Sequence, residues 1–173
     1  MTQTAGPRVV LVGTMGAGKT TVGRLLADLW GVPFRDTDAD VEAAEGRSVS
    51  DIFVDSGEAA FRALESAAVE EALGTHDGVL ALGGGAVLDP STRDLLSGHR
   101  VVFLRVGLSD ASSRVGLGVS RPLLLGNVRG RIKQLIDERR PVYESVASYV
   151  VDTDGLSVDE VVRSVLQAVE ADA

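Results

Sequence analysis

Short unbroken aliphatic runs alternate along the chain with longer stretches whose apolar positions recur at helical spacing. Val9-Val10-Leu11-Val12 and Val79-Leu80-Ala81-Leu82 are of the first kind, as strands covered on both faces require. Val22, Leu25, Leu26 and Leu29 make one apolar stripe of the second kind. The pattern predicts strands near 8–13, 33–36, 78–82, 100–106 and 149–152. It predicts helices near 19–29, 38–45, 50–55, 58–73, 90–97, 109–115, 127–147 and 158–170. Two helix starts are marked chemically: Asp89 before Pro90 is a cap followed by proline at the first helical position, and Ser157 with Glu160 forms a capping box. The alternation argues for an α/β sheet with helices on both faces. Neither a repeat nor a low-complexity tract interrupts it, and only Gly116 to Gly130 has the composition of a linker. Inside a compact domain such a glycine-bearing connection, carrying Arg121-Pro122, reads as a functional lid.

Length changes this picture little: 173 residues make one domain with room for a substantial core. With no cysteine, disulfides and thiolate metal sites are excluded. Met1 to Pro7 is short and polar, and no later apolar run is long enough to cross a bilayer, so the expectation is a soluble, cytoplasmic protein with no membrane partner. A net charge of −8 speaks against a general nucleic-acid surface, since affinity for phosphate backbones rests on clustered Lys and Arg. Individual arginines therefore carry more information than the total.

The most informative stretch joins the first strand to the first helix. Gly13, Gly16 and Gly18 let successive N–H groups turn inward around an anion, and the helix that begins at Lys19 points its unpaired amides and positive dipole end at the same place. Lys19 adds a full charge for the outer phosphates, and the Thr20 hydroxyl is a hard ligand for Mg2+. Gly-x-x-x-x-Gly-Lys-Thr in this setting is a phosphate-binding loop for a nucleoside triphosphate, with ATP the first choice.

Five further places suggest chemistry, each with a plainer reading beside it. Asp36-Thr37-Asp38 leaves a strand for a helix; its carboxylates could divide metal binding and proton acceptance, or Asp36 or Thr37 could simply cap the helix. Arg62, after Phe61, could serve a site or only pair with Glu65 on the surface. Gly83-Gly84-Gly85 at a strand's C-terminal end lets a ligand approach the backbone, or is a bare turn. Arg121 could close over the triphosphate, an effect worth about three to five decades of rate in related systems, or be a solvated loop residue. In Arg139-Arg140-Pro141-Val142-Tyr143 the proline is expected to break a helix just after two guanidiniums suited to a small carboxylate or phosphate.

Taken in order, these motifs resemble the shikimate kinase family over roughly residues 8 to 166. The resemblance implies a nucleoside-monophosphate-kinase-like fold: a five-stranded parallel sheet in the order 2-3-1-4-5, helices on both faces and a lid. It also implies one kinase domain over 1–173 (core about 8–170), with a substrate-binding region about 36–64 and the lid about 113–125. The implied reaction takes ATP and shikimate to ADP and shikimate 3-phosphate, with one Mg2+, in a monomer. By motif, Gly16, Ala17, Gly18, Lys19, Thr20 and Thr21 would hold the nucleotide, with Arg114 on the adenine and Arg121 in the lid. Thr20 and Asp36 would serve the metal. Asp38 would bind the reacting diol as base, Arg62 and Arg139 would grip the carboxylate, and Gly83, Gly84 and Gly85 would meet the ring hydroxyls. Lys19, Asp38 and Arg121 are thus the expected catalytic residues. Asp152 to Ser157 departs from the pattern by lacking the arginine that many relatives place near the adenine.

Two rivals share much of this sequence. A gluconate-kinase-like enzyme would keep Gly13 to Thr20 but has no need of paired arginines for a ring carboxylate. A nucleotide-binding regulatory module without turnover would have no need of Lys19, Asp36, Asp38 and Arg121 together.

Overall fold

A computed structural model describes residues 6–107, 110 and 128–171. The expected helix at 109–115 and the expected lid at 113–125, with Arg114 and Arg121, lie outside the described residues, Asp110 excepted.

Strand β1 (Val9–Val12) is buried at every position because it lies in the middle of the sheet. It pairs in parallel with β3 (Val79–Ala81) on one side and β4 (Val101–Arg105) on the other, with Leu11 opposite Ala81 and Val102. β2 (Phe34–Asp36) adds outside β3, and β5 (Tyr149–Asp152) outside β4. The five strands run in the order 2-3-1-4-5, as the resemblance implied.

Alternation along β1 distributes its side chains to two faces. Val9 and Leu11 pack with Leu26 of α1 (Lys19–Trp30) and with Val161 and Val165 of α7 (Val158–Glu170). Val10 and Val12 pack on the opposite side with Val69 and Leu73 of α4 (Glu58–Thr75) and with Tyr143 of α6 (Val128–Val146). Continuous apolar strands are therefore what a sheet sandwiched by helices demands.

α2 (Thr37–Glu45) and α3 (Val49–Ser56) stand apart from both layers. Together with α4 they enclose a third, smaller cluster of Val41, Ile52 and Phe61, against which Val49, Phe53 and Leu64 pack. Ser48 caps α3 by accepting from the Asp51 amide at 3.1 Å.

Both marked caps are made. Asp89 accepts from the Ser91 amide ahead of α5 (Pro90–Leu96), and Ser157 and Glu160 form the reciprocal capping box of α7. The helix expected at 127–147 forms, but Pro141 does not break it as expected of the proline: α6 continues to Val146, and the Ala147 amide still bonds the Tyr143 carbonyl at 3.1 Å. Proline removes one helical donor, but Tyr143 beyond it is 1% exposed, and that burial holds the following turn in place. A short 3-10 turn at Ala86–Leu88 follows the three glycines and was not anticipated. Among the described residues no helix is long and apolar enough to cross a membrane.

Candidate active site

Strands β1, β2 and β3 all end on the same edge of the sheet, so the loops that leave them converge. Around that edge lies a cleft of about 650 Å³, lined by Gly16 to Thr21, Asp36, Asp38, Arg62, Glu65, Gly83 to Gly85 and Arg139. Residues scattered over more than a hundred positions of sequence thus line one continuous space.

The phosphate loop forms the first wall. Gly16 and Gly18 hold φ of 84° and 89°, a region that side chains rarely adopt. Gly18 is the N-cap of α1, has no side-chain cap, and no acidic residue occupies the helix's first turn. That end is therefore open to an anion. The Lys19 ammonium folds back onto the Gly13 and Thr14 carbonyls at 2.7 and 3.2 Å.

Asp36 caps its helix, the plainer of its two readings, and it also faces the phosphate loop. One carboxylate oxygen caps α2 by accepting from the Asp38 amide at 2.8 Å, and the other accepts from the Thr20 hydroxyl at 3.3 Å. Capping fixes the carboxylate so that its second oxygen faces the phosphate loop. Thr20 and Asp36 together offer two hard oxygen ligands, and among the described residues no cluster of three metal-ligating side chains occurs. Such a sparse donor set fits Mg2+, which keeps waters and substrate phosphates in its shell, and does not fit a metal that needs an all-protein cage.

Asp38 and Glu65 meet across Gly83. A Cβ placed on Gly83 would lie 2.5 Å from an Asp38 oxygen and 2.7 Å from a Glu65 oxygen. Gly85 is equally constrained, with the Arg62 guanidinium 2.4 Å from where its Cβ would be. The glycines are needed for the space they leave to these side chains, which is more than a bare turn requires.

The Arg62–Glu65 pair forms at 2.8 Å but is not the surface ion pair expected of that spacing. Glu65 is 3% exposed, and its burial raises the carboxyl above its usual value, with nearby Asp38 adding to the effect and Arg62 opposing it. The phenyl rings of Phe53 and Phe61 lie 6.0 and 5.3 Å from the Arg62 guanidinium carbon. Ion pair and rings leave this arginine few orientations.

Arg139 is 5% exposed and makes no ion pair with any described carboxylate. Arg140 beside it is exposed, so the helix itself separates the two guanidiniums. The Glu65 carboxylate acts on Arg139 at longer range and the Tyr143 oxygen bonds it, and a bound anion would offset its burial further. Arg62 and Arg139 thus offer a small carboxylate or phosphate two cations beside the three glycines, Arg62 against Gly85 and Arg139 against Gly84.

Three residues of the site were missed in sequence. Thr37, fully buried, accepts from the Gly83 amide at 3.2 Å. Glu65 was read only as a partner on the surface. Tyr143 donates a short hydrogen bond to the Gly84 carbonyl, and burial pushes its hydroxyl up to about 12. Tyr143 stands one helical turn from Arg139, which was the available signal. Leu156, Ser157, Val158 and Val161 close the cleft beside the phosphate loop, in the region where the adenine-side arginine is lacking.

The sequence matches the family model for shikimate kinase over residues 15–170. It is 56% identical over 164 residues to a shikimate kinase of Streptomyces avermitilis, covering 95% of this chain and 96% of the relative. Against a shikimate kinase of Streptomyces coelicolor it is 54% identical, covering 96% of this chain and 97% of the relative. Among solved structures, shikimate kinase from Acinetobacter baumannii in complex with shikimate superposes with a TM-score of 0.92 at 34% identity, over 98% of this chain and 96% of that one. A gluconokinase from Sinorhizobium meliloti reaches a TM-score of 0.57 at 21% identity, covering 97% and 94% of the two chains, a likeness of fold alone.

Proposed function

The chain belongs to the shikimate kinase family, and from that premise we propose how it passes the γ-phosphoryl group of ATP to the 3-hydroxyl of shikimate, giving shikimate 3-phosphate and ADP. The observation that carries the assignment of parts is one cleft in which an open helix N-terminus, two carboxylates, the half-buried Arg62 and the buried Arg139 converge.

ATP lays its phosphates over Gly16, Ala17, Gly18, Lys19, Thr20 and Thr21, whose amides supply fixed positive dipoles. Lys19 exchanges its hydrogen bonds to the Gly13 and Thr14 carbonyls for phosphate oxygens. Thr20 and Asp36 would hold one Mg2+, Asp36 through water, and the ion supplies charge neutralisation on the β- and γ-phosphates. Arg114 and Arg121 are assigned to the adenine and to the lid by family pattern.

Shikimate places its ring carboxylate between Arg62 and Arg139 and its hydroxyls toward Gly83, Gly84, Gly85 and Asp38. Its 3-hydroxyl oxygen forms a bond to the γ-phosphorus as the bond to the β,γ-bridging oxygen breaks; the hydroxyl proton passes to Asp38, and ADP leaves. Since the transition state is largely dissociative, alignment and the charges of Lys19 and Arg121 outweigh strong base catalysis. The whole of 1–173 is assigned to one kinase domain, with its substrate region about 36–64 and lid about 113–125, acting as a cytoplasmic monomer.

A gluconate-kinase-like reading leaves Arg62 and Arg139 without a task. The discriminating experiment is ADP release measured over a panel of hydroxy acids. Shikimate should give the highest kcat/KM; no rate above the ATPase background with shikimate, alongside turnover of another acid, would overturn the assignment.

A further inference from the structure

The floor of the acceptor half of the cleft is three glycines, a segment with no side chains of its own to fix it. Two groups hold it. Thr37 accepts from the Gly83 amide at 3.2 Å, and the Tyr143 hydroxyl donates to the Gly84 carbonyl. Among the described residues the Gly84 and Gly85 amides have no protein acceptor. In a planar trans peptide the carbonyl and the N–H point in opposite directions. With its carbonyl turned to Tyr143, the Gly84–Gly85 peptide must present the Gly85 N–H away from Tyr143.

The same phenol bears on the arginine. Arg139 and Tyr143 lie one turn apart on α6, the Arg139 guanidinium acts on the Tyr143 oxygen, and an Arg139 nitrogen lies 3.4 Å from where a Gly84 Cβ would be. Tyr143 is itself immobilised: it is 1% exposed, and its ring packs on Phe103 at 5.0 Å between centroids. It is not among the residues that line the cleft, and its hydroxyl is committed to the Gly84 carbonyl.

We propose that Tyr143 is a positioning residue for the acceptor, its hydroxyl linking the Gly84 carbonyl to Arg139 so that the Gly85 amide and the guanidinium face the substrate together. This rests on the assignment of Arg139 and the glycines to shikimate. The phenol does not lose its proton; it works as a fixed donor in a buried place, where a missing partner leaves a carbonyl unsatisfied.

Tyr143→Phe removes one oxygen and keeps the ring on Phe103. It should raise KM for shikimate roughly five- to tenfold, the scale of one net hydrogen bond, with KM for ATP unchanged. Phe103→Leu loosens the ring that holds Tyr143; it should lower the thermal midpoint and raise KM for shikimate by less than Tyr143→Phe does, again with KM for ATP unchanged. If Tyr143→Phe moves both KM values equally, or neither, the proposal fails. Arg139→Ala separates the premises: should it leave KM for shikimate unaltered, the substrate assignment itself is wrong, whereas its loss beside an unaffected Tyr143→Phe overturns the positioning role alone. A readout that needs no variant at Tyr143 uses chain labelled with fluorotyrosine at both tyrosines, Tyr143 and Tyr149, with Tyr149→Phe giving the assignment. The Tyr143 fluorine resonance should shift on titration with shikimate and stay in place with ADP; no shift with shikimate overturns the proposal.

Discussion

Asp36 and Asp38 are two residues apart, yet their surroundings give them different work. Asp36 has one oxygen committed to the α2 cap and one to Thr20, whereas Asp38 faces Gly83 and Glu65. Asp38→Asn should abolish most turnover while ATP still binds, which a nucleotide titration beside the ADP-release assay will read; equal loss of both would move Asp38 out of the acceptor half. Gly83→Ala drives a methyl into two carboxylate oxygens, so shikimate turnover should fall at least tenfold, the scale of a displaced reacting group, with the chain still folded by circular dichroism. Glu65 has its carboxyl raised in the folded chain, chiefly by burial. The fold thus binds its proton better than the unfolded chain does, so this residue's contribution to stability is complete below its ordinary value of 4.5 and declines as pH rises through the raised folded value. The stability difference between the native chain and Glu65→Gln should therefore fall with rising pH above 4.5 in thermal melts, and a flat difference would contradict the shift. Lys19, Asp38, Arg62 and Arg139 were legible because motif order carries them. Glu65, Thr37 and Tyr143 were not, since each acts by touching a residue that only the sheet's topology brings near.

Among the elements, α3 ties a local cap to the cleft. Val49 and Phe53 on it form part of the lining, and its start depends on Ser48 accepting from the Asp51 amide. Ser48→Ala should cost about 1 kcal/mol of stability, measured by urea unfolding, as other serine caps do. KM for shikimate should rise modestly with it, because Phe53 stands beside Arg62. Strands were readable from β-branched runs, and helix starts from Asp89 and Ser157, because caps and strand burial are local or nearly so. Pro141 misled for the opposite reason: the rule that proline ends a helix is local, and the burial of Tyr143 that overrides it is not. The 3-10 turn after Gly85 escaped notice because glycine runs announce freedom and leave the conformation adopted to their neighbours.

At the scale of the whole molecule, two large core clusters sandwich the sheet, while α2, α3 and α4 share a small third one around Ile52. Fewer buried contacts imply easier local opening. Amide exchange across α2 and α3 should be faster than in β1 and β4, and on the proposed seating of shikimate between Arg62 and Arg139 that ligand should slow it; ADP alone should not. The alternation of short apolar runs with amphipathic stretches was enough to foresee the layered architecture, since each β1 residue feeds one face or the other. The separateness of the third cluster was not foreseeable, as nothing in the pattern of α2 or α3 says which surface they cover. One property of the cleft reaches beyond catalysis. Because the helix N-terminus at Gly18 and the arginine pair border the same uninterrupted 650 Å³, nothing obliges two ligands to occupy it. A single molecule with a polyanionic tail joined by a short tether to a ring acid would meet its second anchorage at an effective concentration in the millimolar range, about what short flexible linkers provide. Its affinity should then exceed that of either half by orders of magnitude, and shortening the tether until one end cannot seat should erase the gain.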